Sequence, residues 1–172
     1  MFTRSICIFL LLLPLVSFAQ LKEEIKKQAQ IIITATKNSD FETVISKTHP
    51  SLVAKLGGKE QMLVVIKEGM EKLASESIKI DTAVLGEPGE IFQAGEELHC
   101  LVPEVIVLGS PMGKLVSQSH LLAISGDEGL TWAFLDVGET ITDDNIIELI
   151  PNFNRKLKIP MNPKPVLYKN KQ

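Results

Sequence analysis

The apolar positions of this chain keep two different rhythms. In the first half Leu21, Ile25, Ala29 and Ile32 recur at helical spacing, with Lys22, Glu23, Glu24, Lys26 and Lys27 between them. That spacing predicts an amphipathic helix with a solvated charged face. Asn38-Ser39-Asp40 interrupts it. Ser39 followed three residues later by Glu42 fits a capping box, so a second helix is expected from about Asp40, with Phe41, Val44 and Ile45 as its stripe. His49-Pro50 ends or kinks that helix, because a residue before proline avoids the helical region. One or two further turns are expected over 51–56, closed by Gly57-Gly58. A third helix is predicted over 59–75, with Met62, Leu63, Ile66, Met70 and Leu73 on one face.

Near residue 78 the period drops to two. IKIDTAVL alternates and is rich in β-formers, and Gly86-Glu87-Pro88-Gly89-Glu90 is a turn cluster. A short strand over 91–93, a long one over 98–108, its partner over 115–124 and a return over 131–137 follow. Pro103 inside the long strand predicts an edge position or a bulge. A short helix is expected over 143–150, stopped before Pro151, and an extended tail carrying Pro160, Pro163 and Pro165 after it. Helices first, then strands joined by hairpin-length connections, make an α+β fold: N-terminal helices packed on a curved antiparallel meander sheet, cone-like in outline.

The first residues follow neither rhythm. Arg4 precedes an unbroken apolar run over 6–16, and Ser17-Phe18-Ala19 supplies small residues at the −3 and −1 positions of a cleavage site. Residues 1–19 therefore read as a cleavable signal peptide. Such a run is too short to cross ~30 Å of hydrocarbon as a helix, and no membrane span is expected in the mature form. The organisation expected is signal peptide 1–19, a single α+β domain 20–150 and a Pro- and Lys-containing tail 151–172, in a periplasmic or secreted protein. Removing Arg4 takes the formal charge of −3 to about −4. A chain with no basic face excludes nucleic acid as a partner. Cys7 leaves with the signal, so Cys100 alone remains and no intramolecular disulfide can form.

The most specific string is Ser125-Gly126-Asp127-Glu128-Gly129-Leu130-Thr131-Trp132. It matches S-x-D-x-G-x-T-W and resembles the Asp-box hairpin of bacterial sialidases. The resemblance covers the turn alone and implies no sialidase activity, since one copy in a chain this short cannot build a propeller. The wider layout, helices and then a meander ending in Trp132, Phe134 and Asp136, resembles the cone-shaped nuclear-transport-factor-2-like or cystatin-like superfamily, which includes small secreted bacterial proteins of unknown role. That resemblance spans about residues 21–140. It implies a pocket between sheet and helices, and an open sheet face that can pair two copies as a homodimer. The superfamily's best-known layout has a strand between the second and third helices, and this sequence shows none.

The candidate chemistry is sparse. His49, His99 and His120 lack the local spacing of metal ligands, and neither metal nor cofactor is expected. His99 and Cys100 are adjacent, so on a strand they face opposite ways. His120 is the one ionisable group on its strand face, shared with Val116, Gln118, Leu122 and Ile124. Glu104 is the sole charge in its apolar strand. If its face is core its pKa rises; a bulge near Pro103 would instead turn it to water. Asp136 ends its strand, where a surface or turn role is expected. His120, Glu104 and Trp132 are the candidate ligand-binding residues, and no catalytic set is assigned. The reading that follows is an exported non-catalytic domain binding a small apolar ligand or a protein through a sheet pocket or face. The alternative is a small isomerase- or hydrolase-like enzyme with an acid–base residue in the cone.

Overall fold

The computed structural model describes residues 17–170, so most of the expected signal peptide lies outside the described residues. Four helices come first: α1 (Phe18–Lys37), α2 (Phe41–Lys47), α3 (Pro50–Lys55) and α4 (Lys59–Ser75). Six strands follow: β1 (Lys79–Leu85), β2 (Ile91–Ala94), β3 (Glu97–Ser110), β4 (Gly113–Ser125), β5 (Ala133–Val137) and β6 (Val166–Lys169). The fold is α+β, with all strand pairs antiparallel. No helix among the described residues is long and apolar enough to cross a membrane.

The caps explain the helix boundaries. Ser17 and Gln20 form a reciprocal capping box at the start of α1. The box expected from Ser39 and Glu42 does not form. Ser39 takes φ +57°, and Asp40 caps α2 by accepting from the Thr43 N–H at 3.2 Å. His49 caps α3, where its Nδ1 accepts from the Ser51 N–H and Pro50 occupies the first helical position.

The sheet is four strands wide, and both outer positions are split. β3 and β4 pair along their whole length as one long hairpin around Pro111-Met112. β1 and β2 share the outer edge of β3; β5 and β6 share the outer edge of β4. Pro103 lies where β1 has ended and β2 has not begun. Its carbonyl accepts from the Gly86 N–H at 2.7 Å, so the ring nitrogen, which has no hydrogen, faces the gap between the two. The register irregularity lies at Asp81 of β1 instead, between Ile80 and Thr82. Glu104 therefore stays in register opposite Ser119 and turns inward, only 6 % exposed.

Two apolar layers sandwich the sheet. On one face Leu21, Ile25, Ala29 and Ile33 of α1 pack against Cys100, Val102, Ala123 and Phe134. On the other, Leu122, Ile124, Leu135 and Val137 are covered by Ile146, Ile150, Phe153, Leu157 and Ile159. The short helix expected over 143–150 is one 3-10 turn, Ile146–Glu148. The tail expected from 151 onward is extended but not free. Residues 153–159 close the second face, and β6 adds a strand beside Gly113, Lys114, Leu115 and Val116. Pairing with β4 requires no apolar alternation, so Val166–Lys169 leaves little trace in a hydrophobicity pattern.

A buried glutamine joins the layers of the helix side. Gln28 donates from Nε2 to the Leu130 carbonyl at 3.0 Å, and its Oε1 accepts from the Trp132 N–H and from Lys47 Nζ, both at 3.0 Å. One side chain thus ties α1, α2 and the β4–β5 turn, and its amide is satisfied on both atoms.

Candidate functional site

The sequence pattern of α4 promises an apolar face, but only Met62 is buried; Leu63, Ile66, Met70 and Leu73 are half-exposed. The helix packs mainly on α2 and α3, so it hangs over the sheet and does not seal it. A cavity of about 300 Å³ remains beneath it. Its walls are Ile32, Ile33 and Thr36 of α1, Val44 and Thr48 of α2 and its end, Leu52 of α3, and Met62 and Ile66 of α4. The sheet supplies the floor, including Ala83, Ile106, Leu121 and Phe134. This volume stands at the small end of the range for ligand pockets, ~300–1,000 Å³.

Two carboxyl groups interrupt the apolar lining. Strand register places both. Glu104 of β3 is opposite Ser119, and Asp136 of β5 is opposite Leu121. Ser119 and Leu121 share a face of β4, so the two acids rise from the same side of the sheet, one strand apart on either side of β4. Ser119 Oγ donates to Glu104 Oε2 at 3.2 Å, the hydrogen bond Glu104 has among the described residues. Burial, and then the charge of Asp136, push the Glu104 carboxyl up to about 7 against the pull of Ser119. Asp136 lines the rim of the cavity and is itself exposed to water. Burial first and Glu139 second push it up to about 6, with His120 acting the opposite way.

The three candidate ligand-binding residues do not converge. Glu104 lines the cavity. His120 lies on the other face of the sheet, where its Nδ1 meets Asn162 Oδ1 at 3.2 Å. Asn162 Nδ2 donates to the Val137 carbonyl, so its oxygen must accept, and His120 carries the proton on Nδ1. Trp132 is buried in the helix-side core at 2 % exposure, with its indole N–H on the Gly129 carbonyl at 2.9 Å. Asp136, expected in a surface or turn role, is exposed at the cavity rim and is the second acid lining it. Ser119 was legible only through the hairpin register that sets it against Glu104.

The Asp-box-like turn is built for shape. Asp127 accepts from the Thr131 N–H at 2.9 Å and from Thr131 Oγ1 at 2.6 Å, while Ser125 Oγ accepts from the Gly129 N–H at 2.9 Å. Gly129 takes φ +90°, and a Cβ there would come within 2.2 Å of Leu21. These bonds lower the Asp127 pKa, led by the Thr131 hydroxyl, and aim Trp132 into the core.

The other titratable groups belong to the packing. Cys100 is a fully buried free thiol whose pKa burial raises to about 11, on the face opposite His99. His99 is fully buried, stacked on Phe153 with ring centroids 5.8 Å apart, and its Nε2 is 3.2 Å from Glu97. Among the described residues, no group of three or more His, Cys, Asp or Glu side chains is placed to hold a metal ion. Beyond the covered part of the second face, Val84, Val105 and Val166 form an exposed apolar stripe. Comparison with known proteins gave no matching family model, no matching curated protein and no matching solved structure.

Proposed function

We propose that this is an exported, non-catalytic domain that binds a small, largely apolar ligand in the cavity between α4 and the sheet. The observation that carries the reading is the cavity itself: about 300 Å³ with predominantly apolar walls and a buried carboxyl in its floor. Well-packed cores leave few voids larger than a water molecule, and a small apolar pocket with a few polar groups is the usual form of a ligand site. A helical layer over an antiparallel sheet, with a pocket between them, also supports the likeness to the nuclear-transport-factor-2-like or cystatin-like cones. Between α2 and α3, where that layout has a strand, this chain has one isolated bridge, from Thr48 to Phe134. Export rests on the pattern of residues 1–19 and is tested by sequencing the N-terminus of the secreted protein.

Octanol is a suitable first probe. Titration calorimetry should show saturable one-to-one binding, and Ile66→Trp, which places a ring in the cavity, should abolish it while thermal unfolding stays cooperative. No binding, or binding that Ile66→Trp leaves intact, would remove the pocket reading.

A second reading, a small isomerase- or hydrolase-like enzyme, draws on one observation. Glu104 and Asp136 line the same cavity with pKa values raised to about 7 and about 6, in the range of general acid–base groups. His120 has no part in this version. A turnover rate that collapses in Glu104→Gln, with a pH profile bending near those values, would favour it over simple binding.

A further inference from the structure

We propose that the ligand is an amphiphilic amine, its apolar body lying in the cavity and its ammonium head seated on Glu104 with Asp136 as the second negative group. This deepens the binding reading above and rests on it.

Glu104 has no cationic partner among the described residues. It is more than nine-tenths buried and lines the cavity, yet it carries one hydrogen bond, on Oε2, among the described residues. Oε1 makes no hydrogen bond among the described residues and keeps some access to the open volume of the cavity. A carboxyl in an apolar cavity is satisfied most strongly by a charged donor brought next to it. No Lys or Arg pairs with either acid: the ion pairs of the described residues involve neither Glu104 nor Asp136. Two strand spacings of ~4.8 Å and a two-residue offset along β4 put their backbones roughly 12 Å apart. No hydrogen bond joins the two carboxyls among the described residues, yet the Asp136 charge still raises the Glu104 carboxyl. Neither acid has a cation beside it among the described residues, and a cationic donor entering the cavity supplies one.

The surrounding charges bear on the sign. Glu139 adds to the negative field at Asp136, and His120 opposes it from across the sheet. Lys37 is the one basic residue lining the cavity; it is exposed, at the end of α1. A carboxylate head would have to meet Lys37 at the mouth and avoid the floor. The remaining walls are apolar and offer no preference among head groups, so selectivity is assigned to the floor.

A proton accompanies the event. At near-neutral pH an ammonium that settles on a protonated Glu104 displaces the carboxyl proton to solvent, leaving a carboxylate–ammonium pair. Amine binding is therefore linked to proton release, whereas alcohol binding is not.

The test compares octylamine, octanol and octanoate by titration calorimetry at about pH 7, in two buffers of different ionisation enthalpy. Octylamine should bind at least about tenfold more tightly than octanol, the preference expected of one charge-assisted bond. Octanoate should be weakest. The octylamine heat should depend on the buffer, by the released proton, and the octanol heat should not. In Glu104→Gln the ratio of the two affinities should fall to about one. In the unaltered protein the same ratio should shrink as pH falls below about 6, where both acids are protonated; this arm does not depend on the variant folding. Octanol bound with octylamine no better, octanoate tightest, or a preference that survives Glu104→Gln would each overturn the amine assignment alone. Failure of all three to bind would overturn the pocket reading with it.

Discussion

The two faces of the sheet are made from the same strands, yet they are finished differently. The face toward residues 138–160 is filled. Ile146, Ile150, Phe153, Leu157 and Ile159 close on Leu122 and Leu135, and the buried polar group there, His99, stacks on Phe153 and meets Glu97 through Nε2, with its Nδ1 enclosed by apolar packing and unpaired among the described residues. The face toward the helices is filled only at the α1 end, around Ile25, Ala29 and Cys100. Beyond Val102 it opens into a cavity whose floor carries two acids. The irregular cover lacks helical or sheet regularity but follows the surface closely. It is pinned by side chain–backbone bonds: Asn154 Nδ2 donates to the Gln93 carbonyl at 2.6 Å, and the Ile159 N–H donates to Asp143 Oδ1 at 2.9 Å. The regular helix α4 packs on α2 and α3 and leaves space between itself and the sheet. Close packing is a stability device and an unfilled volume is a binding device, and this molecule assigns one to each side.

The comparison is broken most readily at Phe153. Its truncation to alanine empties the filled face and unstacks His99, and should cost about 3–5 kcal/mol in urea unfolding. A loss below about 1 kcal/mol would mean that the C-terminal cover does not share the cooperativity of the sheet.

The next largest effect has the opposite sign and lies on the open face. Glu104 ionises near 4.5 when unfolded and at about 7 when folded. Between those values the folded state holds a proton that the unfolded state has released, so stability falls as pH rises through the window. The penalty is complete above about pH 7. Glu104→Gln should therefore stabilise the protein by roughly 2–3 kcal/mol near pH 8, a little below the ionisation cost because a buried amide also loses hydration, and should give no gain below about pH 4.5. Guanidinium unfolding at the two pH values reads this directly; an equal effect at both would show that ionisation is not the cause. His99 on the other face behaves inversely. Burial lowers its pKa from 6.5, so its influence is absent above that pH and costs stability as pH falls below it toward the folded value.

The smallest effect sharpens the contrast. Ile66 is half-buried and borders empty volume, so Ile66→Ala should cost less than about 1 kcal/mol, well under the ~2–5 kcal/mol of an isoleucine truncated in a filled core. A cost in that higher range, measured by thermal unfolding, would show that α4 seals the cavity more tightly than its exposure indicates.

Much of the site was half-visible before folding. Glu104 stood out as the one charge in an apolar strand, and its register gave its face. What the strand alone left open was whether Pro103 would bend it away. The answer depended on β1 and β2, whose gap receives the proline without a bulge. His120 also stood out, and equally clear alternation put it on its face. Which face lay toward the helices was decided by residues distant in sequence. Asp136 read as a surface group at a strand end, and it is exposed there; that it also borders the cavity depends on helices distant in sequence.

By itself the sequence determined the change of rhythm near residue 78, the helices, the long hairpin, the hydrogen-bonded turn at Asp127 and the opposite facing of His99 and Cys100. Each of these follows from neighbours along the chain, through periodicity, capping or strand alternation. Tertiary structure alone decided the cavity, the meeting of Glu104 with Ser119 and Asp136, the burial of Phe153 and Ile159, and the pairing of β6. These depend on how closely one layer reaches another, a matter of packing between distant segments that no local spacing records.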